Sequence, residues 1–265
     1  MRVTHFRQDD KRWRGEVMWN RALVAAAAAA GGVVPEDAAD LMPPHSRGNA
    51  TIGSDGCMIT SLAMILRWLD PDAEQAWNPQ SVLAAAVSEG FSHPSGISMV
   101  TLYADLVSDV SKGEVQLACK EDYLSGRDGW GRRGRNFVAD CALLQAYLRL
   151  PPTTRADFAV MLKIGTWSDA FASHFVVVHP GQEGVAHTAE ELRVLDPAMS
   201  ETANHATWTL ADADRNLRHD PKIGEAWRDQ GIEPGQLAGV WMFARWRQGG
   251  RYLLGALLGA MASEV

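Results

Sequence analysis

The chain is poor in cysteine, with three in 265 residues. Cys57, Cys119 and Cys141 are too few and too scattered for a disulfide framework, and one would always stay unpaired, so a reducing compartment fits. A strong basic tract is also missing. Lys and Arg number 25 against 32 Asp and Glu, a formal charge of −7. Arg132-Arg133-Gly134-Arg135 is short and adjoins the Gly-rich loop Gly126 to Gly134, so nucleic acid is not an expected partner. Residues 1–10 hold no apolar core of signal-peptide length, and Leu253 to Ala262 is an apolar run of only ten residues. That is too short to span a bilayer and reads as a docking helix. The expected location is cytoplasmic as synthesised, with export by a signal-independent route left open. No Gly-x-x-x-x-Gly-Lys-Ser/Thr phosphate loop occurs. His174 and His179, five apart on a strand, point to opposite faces, and His187, His205 and His219 fall in polar loops without ligand spacing. Neither a metal nor a cofactor is expected.

What is present suits one elaborated domain over residues 1–265, since 46% hydrophobic residues can fill a sizeable core. Helical patterns come first: Trp19 to Ala30, Cys57 to Leu69, Pro79 to Glu89, Met99 to Val107 and Val138 to Leu148. Strand-length apolar runs follow at Phe158 to Ile164, Ser173 to His179, Leu192 to Leu195 and Gly239 to Ala244. Helices followed by strands in hairpin-type succession predict an α+β fold with an antiparallel sheet. A helix rich in alanine at about 19–48 and a tail at about 247–265 read as additions to that core.

Three of these elements end on residues that carry chemistry. The stretch from Cys57 to Leu69 sets Met58, Leu62, Ile65, Leu66 and Leu69 on one helical stripe, with Ser54 and Asp55 upstream as cap-type residues. Cys57 would then sit at a helix start, where the macrodipole favours a thiolate. Free cysteine is among the most buried residue types, so position alone does not mark it. His174 stands at the start of an apolar strand, however, and Asp196 ends another just before Pro197. Nucleophile, imidazole and orienting carboxylate are the three groups that thiol chemistry needs.

Several short motifs strengthen this. Phe6-Arg7-Gln8-Asp9-Asp10-Lys11-Arg12-Trp13, Thr51-Ile52-Gly53-Ser54-Asp55-Gly56-Cys57 ahead of Ser61-Leu62-Ala63-Met64, Ser173-His174-Phe175-Val176-Val177-Val178 and Leu195-Asp196-Pro197 follow one another in order. Together, over about residues 5–210, they resemble the C39-like cysteine peptidases. The resemblance implies a papain-like fold, with the cysteine-bearing helices packed on a sheet carrying His and Asp. It also implies Cys57 as nucleophile, His174 as general base and acid, Asp196 as orienting residue and Gln8 as an oxyanion-hole residue, with a peptide or protein as substrate. This chain departs from papain-type spacing: 48 residues separate Gln8 from Cys57. The same triad would also serve an acyltransferase or a peptidoglycan amidase, and the same fold an inert peptide-binding module. Oligomeric state is not indicated.

Overall fold

Apolar runs without alternation become strands buried on both faces. In the computed structural model, which describes residues 4–19, 50–71, 73, 77–88, 104–122, 137–165 and 173–246, β3 (Val115–Asp122), β4 (Phe158–Gly165), β5 (Ser173–Val178), β6 (Val194–Leu195) and β7 (Leu237–Arg245) form one sheet. Its order is β3-β7-β4-β5-β6, and every ladder is antiparallel. Phe175 and Val177 enter the core on one side, Val176 and Val178 the core on the other.

Helices cover both faces. α1 (Cys57–Leu69), α2 (Pro79–Ser88) and α3 (residues 104–110) contribute to the first core with Trp241 and Phe243 of β7. α4 (Ala142–Arg149), α5 (Leu210–His219) and α6 (Pro221–Asp229) contribute to the second with Phe158, Val160 and Leu162 of β4. The fold is α+β around an antiparallel sheet. α1 is the most enclosed helix. Besides the expected stripe, Ile59, Thr60, Ser61, Ala63 and Met64 are buried, as befits a helix covered on more than one side.

The segment before α1 is closed at its base. β1 (Val17–Trp19) pairs antiparallel with β2 (Ala50–Thr51), and backbone bonds Ile52 N to Glu16 O and Gly53 N to Arg14 O extend the contact. The chain therefore leaves at Trp19 and returns at Ala50 beside the same strand.

Several expectations change. Val138 to Leu148 is not one helix: a 3₁₀ turn, Val138–Asp140, is separated from α4 by Cys141, whose φ −83°, ψ 98° is extended. The strand at Leu192 shortens to Val194–Leu195, with Arg193 bridging Thr209. Helices do not all precede strands, because β3 comes before α4, and α5 and α6 lie between β6 and β7. The part of the expected Met99 to Val107 helix within the described residues, 104–107, is helical and continues to 110, and residues 99–103 lie outside them. The helix expected from Trp19 to Ala30, apart from Trp19, the Gly126 to Gly134 loop and the Leu253 to Ala262 run lie outside the described residues. Among the described residues no helix is long and apolar enough to cross a membrane.

Candidate functional site

Cys57 is the first residue of α1, and the local chain explains its placement. A one-turn helix, Ile52–Asp55, is closed by a capping box in which Thr51 and Ser54 bond each other's backbone. Ser54 thus caps this turn rather than α1, whose N-cap is Gly56 with no side-chain bond to the first turn. Glycine is required there by close approach: a Cβ at residue 56 would lie 2.4 Å from the Ile52 carbonyl oxygen. The two short elements therefore meet without a bulky cap, and Cys57 stays half-buried. One turn further on, buried Ser61 donates its hydroxyl to the Phe175 carbonyl at 3.2 Å. That bond pins α1 to the strand residue next to His174.

His174 Nε2 donates to Asp196 Oδ1 at 2.7 Å, and both side chains are buried. Asp196 is further held by the Ala198 N–H on Oδ1 at 2.8 Å and by the Trp208 indole N–H on Oδ2 at 3.2 Å. Burial alone would push the imidazole's pKa down. The charge and hydrogen bond of Asp196, joined by a hydrogen bond with Cys57, outweigh it and hold His174 up at about 10. Burial likewise opposes ionisation of Asp196, and the His174 charge with three donors keeps its pKa below the usual carboxylate value. Since Nε2 is committed to Asp196, Nδ1 is the nitrogen left for Cys57.

Gln8 reaches the same place by another route. Its backbone N–H donates to Pro197 O at 2.9 Å, and three residues earlier His5 Nε2 donates to Asp196 O at 2.8 Å. Its side-chain Nε2 donates to Gly53 O at 3.3 Å, while Oε1 is buried without a partner. Residues 5–8 thus strap the Asp196–Pro197 corner to the turn that presents Cys57. Cys57, His174 and Asp196 are in direct succession, and Gln8 borders both ends of that chain.

Other expected placements shift. His205 is half-buried rather than at the surface, tilted against His5 (centroids 5.8 Å apart) and stacked on His179 (6.3 Å). His219 ends α5 and bonds Arg215 O instead of lying in a loop. Cys141 is buried and donates to Phe137 O, and Cys119 is half-buried on the edge strand β3. Ser61, Trp208 and His5 carry no sequence signal of membership in the site, because each acts through a long-range contact that no local spacing encodes. Among the described residues no group of three or more His, Cys, Asp or Glu side chains could hold a metal ion.

The chain matches no protein-family model, no curated protein and no solved structure.

Proposed function

We propose that the protein is a cysteine hydrolase of peptide or amide bonds, of the C39-like, papain-like kind its motifs resemble. The observation that carries this reading is the succession of half-buried Cys57, buried His174 and buried Asp196, in which Asp196 and Cys57 together favour the proton on His174. The Cys57 sulfur, as thiolate, attacks the carbonyl carbon of the substrate, and the carbonyl oxygen becomes an oxyanion. The Gln8 side-chain amide and the Cys57 backbone N–H receive that charge. His174 then passes its Nδ1 proton to the leaving nitrogen, the C–N bond breaks, and an amine departs from a Cys57 thioester. In the second half, His174 takes a proton from water as the oxygen attacks the thioester, then returns it to the sulfur as the acid is released. Asp196 keeps the imidazole in one orientation and offsets its charge throughout.

The test is covalent trapping. A peptide aldehyde or an E-64-type epoxide should form a one-to-one adduct at Cys57, mapped by mass spectrometry, and the adduct should fail to form in His174→Ala. No adduct at Cys57 under conditions that label a control cysteine hydrolase would leave the fold as an inert binding module.

A further inference from the structure

A second concave site lies at the other end of α1. Between residues 4–6, Arg12–Trp13, the last turn of α1 and the start of α2, a groove of about 630 Å³ is open, within the size range of small-ligand sites. Arg67 stands ten positions after Cys57 on α1, about 15 Å along the axis at the usual helical rise, whereas His5 at the opposite side of the groove bonds Asp196 O. In a chain of net charge −7, the groove's lining among the described residues carries two arginines, Arg12 and Arg67, and two histidines, His5 and His205, and no carboxylate.

The two arginines differ. Arg12 is already met by Asp10 through a two-point contact of 3.0 and 2.7 Å, and its guanidinium lies 4.3 Å above the Trp13 ring. Arg67 is half-buried and has no ion pair or hydrogen bond among the described residues. The nearby carboxylates are engaged elsewhere: Asp70 takes the Trp77 indole N–H at 3.2 Å, and Glu16 takes the Gln80 amide at 2.8 Å. A half-buried guanidinium without a counter-charge is an arrangement that a bidentate anion completes. Independently, His205 brings a buried Nδ1 that has no hydrogen-bond partner. Trp13 and Trp77 are 4% and 6% exposed and belong to the core, so they leave almost no aromatic surface open to the groove.

We infer that this groove binds a small anionic ligand through the Arg67 guanidinium. A carboxylate and a phosphate monoester share that chemistry. Calorimetric titration of the full chain with benzoate, phenyl phosphate and benzamide separates them. Both anions should bind at least tenfold more tightly than benzamide, and the tighter of the two names the source. Arg67→Gln should weaken the anions about tenfold, Arg67→Lys, which keeps the charge but not the two-point contact, should weaken them less, and Cys57→Ala should bind as the parent does. Benzamide binding as well as the anions, equal losses in the Gln and Lys variants, unchanged binding in Arg67→Gln, or loss of binding in Cys57→Ala would overturn the inference.

Discussion

Two regions of the molecule bury polar groups in different ways. On the α4 side, Gln145 donates to the carbonyls of Val138 and Ala186, both at 2.8 Å, and Arg155 donates to those of Leu148 and Gln182. There, side chains close backbone groups that loops leave open, and the Arg218–Asp214 ion pair on that side keeps its guanidinium partly exposed. At the candidate site the buried bonds run from side chain to side chain: Trp208 to Asp196 and His174 to Asp196, with Cys57 beyond. Bonds of that kind are the minority class in proteins, and a buried ion pair is weak evidence for stability. The first arrangement is what a scaffold requires. The second shifts pKa values and adds little to folding, as a reactive centre does.

Substitutions in the two regions should separate activity from stability. The largest effect belongs to the thiol–imidazole pair: Cys57→Ala or His174→Ala should lower turnover at least about 10⁴-fold while leaving the circular dichroism spectrum intact, with Asp196→Asn retaining more activity because an amide also orients an imidazole. Gln8→Ala should come next, lowering kcat about 10²–10³-fold with little change in KM, as removal of one oxyanion donor does. A loss under threefold in steady-state kinetics would assign the oxyanion to backbone groups instead. In the α4 region, Gln145→Ala leaves two buried carbonyls unpaired and should cost about 1–3 kcal/mol in denaturant unfolding, with turnover per folded molecule unchanged. Equal activity losses in both regions would erase the distinction.

The smallest effect is a pH profile of stability with opposite signs on its two limbs. His179 is held down to about 4 by burial, then by the charge of Arg193 and the neighbouring His205 and His5, and its Nδ1 accepts the Gly181 N–H. The folded state takes up that proton less readily than the unfolded chain. Stability from this group is therefore present above the ordinary value of 6.5 and lost as pH falls towards 4. His5, also lowered by burial, acts in the same direction. His174, raised to about 10, contributes stability that is complete below 6.5 and lost as pH rises towards 10. Melting temperature should therefore fall on both sides of about pH 6.5, with His179→Gln flattening the acid limb and Asp196→Asn the alkaline one.

How far each element is legible in the sequence follows the kind of signal it carries. α1 is legible residue for residue from its helical stripe, and β4, β5 and β7 within a few, because short length and enrichment in β-branched and aromatic residues decide an apolar run for strand over buried helix. β3 escapes such a reading although Val115, Leu117 and Cys119 alternate with polar Gln116 and Lys120, a pattern weakened by the charges an edge strand carries. Cys57, His174 and Asp196 can be nominated because each stands at an end of an element, and the structure brings them into one chain of contacts. Gln8 is harder to place. Its separation from Cys57 fits a shared site only because the β1–β2 pair returns the chain to its starting point. The misplaced cap has a similar origin: Ser54 is a cap residue, but it serves a turn too short to carry a periodic signal.

The central claim is that Cys57 is made reactive by His174, and selective alkylation tests it most directly. Iodoacetamide near pH 6, followed by mass-spectrometric mapping, should label Cys57 well before the others. Cys141 is fully buried and donates to Phe137 O, and burial, with the charge of Glu121, pushes the Cys119 thiol up to about 11. His174→Ala should slow labelling of Cys57 alone. Equal labelling of all three cysteines, earlier labelling of Cys119 or Cys141, or a Cys57 rate unchanged in His174→Ala would contradict the account.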